Sequence, residues 1–287
     1  MLGTINKAGH VLDLFTIGHP EWGLSEIARQ LHSPRSTVYE LLASLVEIGM
    51  LSRTLLGRYR LGQRMISFSN LFLKTSLITQ SSSHILDELS QQFDDPAHIA
   101  VLDDLEAVLV SVAKSPLLEL NHIREGVRFP AHCTAVGKIL LAECDWKLIK
   151  PVLETRGLAQ YTTNTITQPD RLQAELENVR RNGWAETVDE MVVNVASVAS
   201  GVRDERGQIV AALGVIVPIQ RFMSQREYIR TAIMNACTQV SANMGYRGQK
   251  TACPTVVASI TTPAVAVTPE QPVASTFTLP VATYSES

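Results

Sequence analysis

Two groups of residues have types and spacing that could do chemistry. Arg35, Ser36, Thr37 and Tyr39 follow closely on Ser33-Pro34, and His132-Cys133 stand side by side ahead of Thr134 and Ala135. A guanidinium followed by hydroxyls of different reach can grip phosphates and read base edges, because arginine makes a bidentate contact to guanine. A cysteine beside a histidine at a helix start suggests instead an activated thiolate. That second reading lacks a frame: neighbours in sequence point in different directions, no third residue is placed to orient the histidine, and no oxyanion hole can be assigned. His132 is therefore expected to bond backbone and Cys133 to pack, and the chain is not expected to be an enzyme. The other cysteines, Cys144, Cys237 and Cys253, form no C-x-x-C pair, and no histidine cluster lies near them. This leaves neither a metal nor a cofactor to expect, and it suits a reduced, cytoplasmic setting.

For the first group to reach a major groove it must open a helix that other elements hold. Ile5, Ala8, Val11, Leu12 and Phe15 recur at helical spacing and give a first helix. Leu24 to Leu31 gives a second, with Ser25 as its N-cap, and His32 begins a tight turn. Ser33 is expected to cap a third helix that Pro34 opens and Gly49 closes, since proline at the first helical position forfeits no hydrogen bond. Val38, Leu41, Leu42, Leu45 and Val46 form its buried face, which leaves Arg35, Ser36, Thr37, Tyr39 and Glu40 at an exposed start. Leu51–Arg53 and Tyr59–Leu61 are short extended segments around Gly57 and read as a hairpin. Three short helices and a hairpin make a winged helix-turn-helix, in which helix three enters the major groove and the wing reaches the flanking backbone.

Ser25, Pro34 and the exposed start of the third helix, with Arg53, Arg58 and Arg60 on the wing, are thus the residues expected to face DNA. Residues 1–64 hold seven Lys or Arg against five Asp or Glu, an excess of +2 in a chain whose net charge is -3. So small an excess matters only through its position on the wing, where phosphates would lie. Glu40 suits base contact only where it accepts from a cytosine amine. A winged helix used for protein contact is the rival reading, and it would bind DNA with little sequence preference.

At 287 residues the chain has room for two domains, and 45% hydrophobic with 18% charged residues is an ordinary globular composition. No apolar run nears the ~20 residues of a membrane span. We read residues 1–62 as the winged domain, 63–92 as one or two linker helices, 93–246 as a second domain, and 247–287, with five prolines among Thr, Ala, Val and Ser, as a disordered tail. In the second domain strands are expected over 99–102, 108–112, 118–123, 187–193, 195–202 and 209–217, and helices over 134–141, 146–153, 169–181 and 224–244. The class is α+β, an antiparallel sheet with helices packed on it. A pocket would lie between the sheet and the helix starting near Cys133, with Asp189, Glu190 and Arg128 as charged candidates at its mouth.

Ser33-Pro34-Arg35-Ser36-Thr37-Val38-Tyr39, Leu41 to Gly49, and Gly57-Arg58-Tyr59-Arg60-Leu61-Gly62 closely resemble the IclR family of bacterial transcriptional regulators. Arg128-Phe129-Pro130-Ala131-His132-Cys133-Thr134-Ala135-Val136-Gly137-Lys138 is similar to that family's second signature, and Asp204 to Leu213 to its late hairpin. The resemblance covers about residues 3 to 246. It implies a linker helix that dimerises, a GAF-like domain that binds a small organic effector, and homodimers, often homotetramers, on palindromic promoter DNA. Repression, relieved by effector, is the expected sign. The resemblance also implies an effector site at the loop with His132, Cys133, Thr134 and Ala135, at Ser197, and at Gly214 and Ile216 on the last strand. Relatives that take small acids usually have cysteine at the Ser197 position, and some have serines where Gly214 and Ile216 stand. The effector expected here is accordingly an aromatic or apolar acid, larger than an oxoacid such as glyoxylate.

Overall fold

The computed structural model describes residues 3–16, 18–115 and 123–248. They form two units, one ending at Thr75 and the other beginning at Ser76. In the first, α1 (Gly3–Asp13), α2 (Leu24–Gln30) and α3 (Arg35–Glu47) precede a two-stranded hairpin of β1 (Leu51–Arg53) and β2 (Tyr59–Leu61). Val11, Ile27, Val38, Leu42, Leu45, Leu51 and Tyr59 meet in one core, so each element gives up its apolar face to the others. Val38, Leu42 and Leu45, spaced four and three apart, dock α3 by one stripe, at about 1.5–3 kcal/mol for each buried side chain. The hairpin reverses over Thr54 to Arg58, where Gly57 takes a φ of +76 that other residues adopt at a cost. Trp22 exchanges two backbone hydrogen bonds with Tyr59, at 2.9 and 2.8 Å, and so ties the segment before α2 to the wing.

Both expected caps fall elsewhere. Gly23, not Ser25, is the N-cap of α2, and its amide is satisfied by the Glu26 carboxylate at 2.7 Å. Pro34 occupies the N-cap of α3, while the Ser33 hydroxyl donates back to the Leu31 carbonyl at 3.0 Å. The first turn of α3 therefore carries no side-chain cap, and its orphan amides face solvent.

The stretch 63–92 divides between the units. Helix α4 (Arg64–Thr75) buries none of its residues, whereas α5 (Leu77–Phe93) sends Ile85, Leu86, Leu89 and Phe93 into the second core. The second unit is a six-stranded antiparallel sheet in the order β5-β4-β3-β8-β7-β6, built from β3 (Ala97–Asp103), β4 (Glu106–Ala113), β5 (Arg128–Pro130), β6 (Trp184–Val188), β7 (Val195–Arg203) and β8 (Ile209–Pro218). Alternation on the strands splits the core in two. Ala97, Ile99, Val198, Leu213 and Val215 pack against α5 and α9 (Ile219–Asn243). Ala100, Ala199 and Ala212 pack against α6 (Ala135–Ala142), α7 (Trp146–Arg156) and α8 (Pro169–Asn182). Two helix layers around one antiparallel sheet confirm the α+β class.

Most boundaries shift by one to three residues, the strand Arg128–Pro130 was not expected, and two boundaries shift by five. The strand expected over 187–193 ends at Val188, because Asp189 and Asn194 turn left-handed (φ +54 and +65) and the Asp189 carboxylate accepts from the Asn194 amide at 2.6 Å. The closing helix begins at Ile219, not 224, with Pro218 as N-cap and irregular backbone at Gln225. The strand expected at 118–123, apart from Ile123, lies outside the described residues, as does the tail from 249 onward. Among the described residues no helix is long and apolar enough to cross a membrane.

Candidate functional site

Each unit offers one site. In the first, docking α3 by Val38, Leu42 and Leu45 leaves Pro34, Arg35, Ser36, Thr37, Tyr39 and Glu40 all exposed on one end. Ser25, in the first turn of α2, is exposed as well. A guanidinium, three hydroxyls and uncapped amides at one helix start form a surface for phosphates and base edges. On the wing the three arginines separate. Arg58 is withdrawn: its guanidinium bonds Glu26 at 2.8 Å and the Glu21 carbonyl at 2.9 Å, which braces the wing against α2. The Gly23 amide first, and that pair after it, hold the Glu26 carboxyl below the usual range. Arg53 and Arg60 stay exposed, Arg53 over the Tyr59 ring and Arg60 bonded to the Ser52 hydroxyl at 3.2 Å. The tip of the wing is apolar, with Leu55 and Leu56 in solvent, a feature the charge count passes over.

In the second unit a cavity of about 60 Å³ lies between the sheet and the start of α6. Of the residues expected there, Cys133, Thr134, Ala135, Ser197 and Ile216 line it together with Glu190. Register explains the grouping: Thr187 on β6 stands opposite Ser197 on β7, which stands opposite Ile216 on β8, so all three point to the α6 face. Thr134 caps α6, accepting from the Gly137 amide and donating to the Pro130 carbonyl, both at 3.2 Å. The Thr187 and Ser197 hydroxyls bond each other at 2.6 Å.

Arg128, His132, Asp189 and Gly214 do not line the cavity. Arg128 turns to the β3–β4 hairpin and pairs with Glu106 at 2.6 Å and Asp103 at 2.8 Å. Asp189 is spent on its own loop. Gly214 lets α6 approach the sheet, since a Cβ there would lie 2.6 Å from the Val198 carbonyl oxygen and 3.3 Å from Val136. His132 bonds the Ala159 carbonyl at 3.0 Å, and burial holds its protonation down. Cys133 is fully buried and its thiol is pushed up to about 12, chiefly by desolvation. A thiol so held is not a nucleophile at neutral pH, as the sequence reading anticipated.

Two titratable residues at this site were missed. His98, on β3 opposite Gly214, lines the cavity at 4% exposure with its Nδ1 lacking a hydrogen-bond partner. Burial lowers its pKa to about 4, so the ring is neutral at neutral pH. Lys138, 1% exposed within an α6 that is otherwise apolar, holds Glu190 at 2.5 Å and Glu175 at 3.2 Å. Desolvation raises the Glu190 carboxyl, against the pull of Lys138. One polar residue in an apolar strand and one lysine in an apolar helix were the available signals.

Comparison with known proteins bears on both sites. The family model for the IclR helix-turn-helix domain matches residues 4–54, and that for the bacterial transcriptional regulator IclR C-terminal domain matches residues 71–242. The chain is 26% identical to the transcriptional regulator XynR of Escherichia coli strain K12, over 86% of this chain and 98% of that one. It is 28% identical to the regulator KdgR of the same strain, over 79% and 87%. A crystal structure of an IclR transcriptional regulator from Silicibacter sp. TM1040 superposes with a TM-score of 0.76 at 28% identity, covering 88% of this chain and 98% of that one. With the C-terminal model alone spanning more than half of its residues, the chain belongs to the IclR family of bacterial transcriptional regulators.

Proposed function

We propose that the protein is a cytoplasmic repressor that binds a palindromic operator as a homodimer and releases it when an organic effector enters the second unit. The observation that carries this reading is the start of α3, where Pro34, Arg35, Ser36, Thr37 and Tyr39 are all exposed beside uncapped helix amides. One such helix covers only a few base pairs, so a dimer on two half-sites is the physical route to useful specificity. Helix α4 supports dimerisation: Ile66, Phe68, Leu71 and Phe72 are 44–63% exposed on a helix with no buried residue. A second copy would cover them, and two such dimers would make the tetramer.

The effector has a sizeable apolar or aromatic body. Phe129, Val136, Met191, Val195 and Ile216 support this, since they make most of the lining apolar. A volume of about 60 Å³ is below the ~150 Å³ of a cavity that holds benzene, so such a body enters only as the lining yields. Met191, unbranched and set between the left-handed Asp189 and Asn194, is the part suited to move. Release follows if the effector favours the arrangement that does not bind DNA.

Footprinting the purified protein on its own upstream DNA, with transcript levels in a strain lacking it, tests this function. Protection of a palindrome and a rise in the transcripts it controls are the expected results. Protection with a fall in those transcripts would make the protein an activator, and no protection would favour the protein-contact reading.

A further inference from the structure

We infer that the polar end of the effector is a hydrogen-bond donor without negative charge, an alcohol, phenol or amine, and that the cavity selects against a carboxylate. This rests on the reading of the cavity as the effector site, and it departs from the acid that the sequence suggested.

Among the described residues the walls hold an acceptor and no available cation, and Glu190 is the one charged residue that lines the cavity. Its Oε1 takes the Lys138 ammonium, while its Oε2 is buried with no hydrogen-bond partner. Lys138 is shared with Glu175, so two carboxyl groups face one ammonium and none of its charge is left over for a ligand. Arg128, the cation expected at the mouth, is held by Asp103 and Glu106. His98 adds polarity without charge, its buried ring neutral and its Nδ1 unpartnered.

A buried acceptor with no donor is a standing cost, and a ligand that donates to it recovers that cost on binding. The nearby hydroxyls bond elsewhere, Thr134 donating to the Pro130 carbonyl and Thr187 and Ser197 to each other, and none of them bonds Glu190 Oε2. The opening turn of α6 does favour an anion, but through partial charges. A carboxylate placed there would share a water-poor space with the Glu190 carboxyl, whose cation, Lys138, is already divided with Glu175.

Isothermal titration of the full-length protein with benzyl alcohol, benzylamine and benzoate tests this, since the three share one apolar body and differ at the polar end. Benzyl alcohol and benzylamine are expected to bind at least about tenfold tighter than benzoate. Glu190→Gln is expected to narrow that gap to about threefold or less, because the amide removes the like charge. Benzoate as the tightest probe, or a gap that Glu190→Gln leaves intact, would overturn the inference; the wild-type order alone decides if that variant does not fold. Ile216→Trp, which fills the cavity, is expected to abolish binding of all three. Binding that survives this change, or no binding of any probe to the wild type, would overturn the placement of the effector itself, and the inference with it.

Discussion

Helix α3 keeps Arg35, Ser36, Thr37 and Tyr39 in solvent, whereas the second unit seals His98, Lys138 and Glu190 between sheet and helix. The contrast is one of when desolvation is charged. Exposed groups give up water only on meeting a partner, so their substitution should alter binding and spare the fold. Buried groups gave up water during folding, so each must find a partner within the unit or stand as a cost that a ligand can relieve. As a member of a family of regulators the protein is not an enzyme.

The sharpest test of that contrast is Lys138→Ala. Removing the one ammonium would leave Glu190 and Glu175 facing each other uncompensated, and denaturant unfolding should show a loss of about 3–5 kcal/mol. A loss under about 1 kcal/mol would mean that the interior tolerates charge as the surface does. His98 supplies a test by pH. In the fold its ring protonates only near pH 4, against 6.5 in the unfolded chain, so the unfolded chain takes up the proton first as pH falls. The stability of the neutral ring is complete above about pH 6.5 and drains away as pH falls to about 4, about 3 kcal/mol in all. His98→Gln cannot titrate, so the wild-type minus variant difference should fall by that amount between pH 7 and pH 4. An unchanged difference would mean that the ring is not sealed.

On the surface the effects should be smaller and belong to binding. Arg53→Ala and Arg60→Ala should each lower the slope of log affinity for DNA against log salt by about 1, while Arg58→Ala leaves the slope unchanged because its guanidinium already serves Glu26. Equal changes at all three would show that Arg58 leaves Glu26 for phosphate. The smallest effect should be Ser25→Ala, within about 0.5 kcal/mol of wild type in stability, since Gly23 and Glu26 do the capping. A loss near 1 kcal/mol would restore Ser25 as a cap.

The sequence was most legible where local chemistry decides. The wing strands Leu51–Arg53 and Tyr59–Leu61 were read to the residue, because Gly57 admits one kind of turn and the apolar positions on either side set the register. The caps were misread because Ser25 and Ser33 are suitable cap residues, and which residue caps is set by where the backbone turns helical, one or two positions away. At 187–193 the valines resemble a continuing strand, yet two left-handed residues end it, and neither Asp189 nor Asn194 advertises this in a chain read by hydropathy. The cavity was legible only in outline. Six of the ten residues expected there line it, while its polar character depends also on His98 and Lys138, whose partners lie 37 or more residues away or are lacking. Contacts of that range leave no local pattern.

The central claim is that the exposed start of α3 reads DNA sequence. Its most direct test is to titrate wild type and Arg35→Ala onto the protein's own upstream DNA and onto scrambled DNA of equal length, at several salt concentrations. Wild type should prefer its own DNA by about a thousandfold or more. Arg35→Ala should lose about 1–3 kcal/mol on that DNA while its binding to scrambled DNA barely changes. Equal, weak and salt-sensitive binding of wild type to both DNAs would contradict the account.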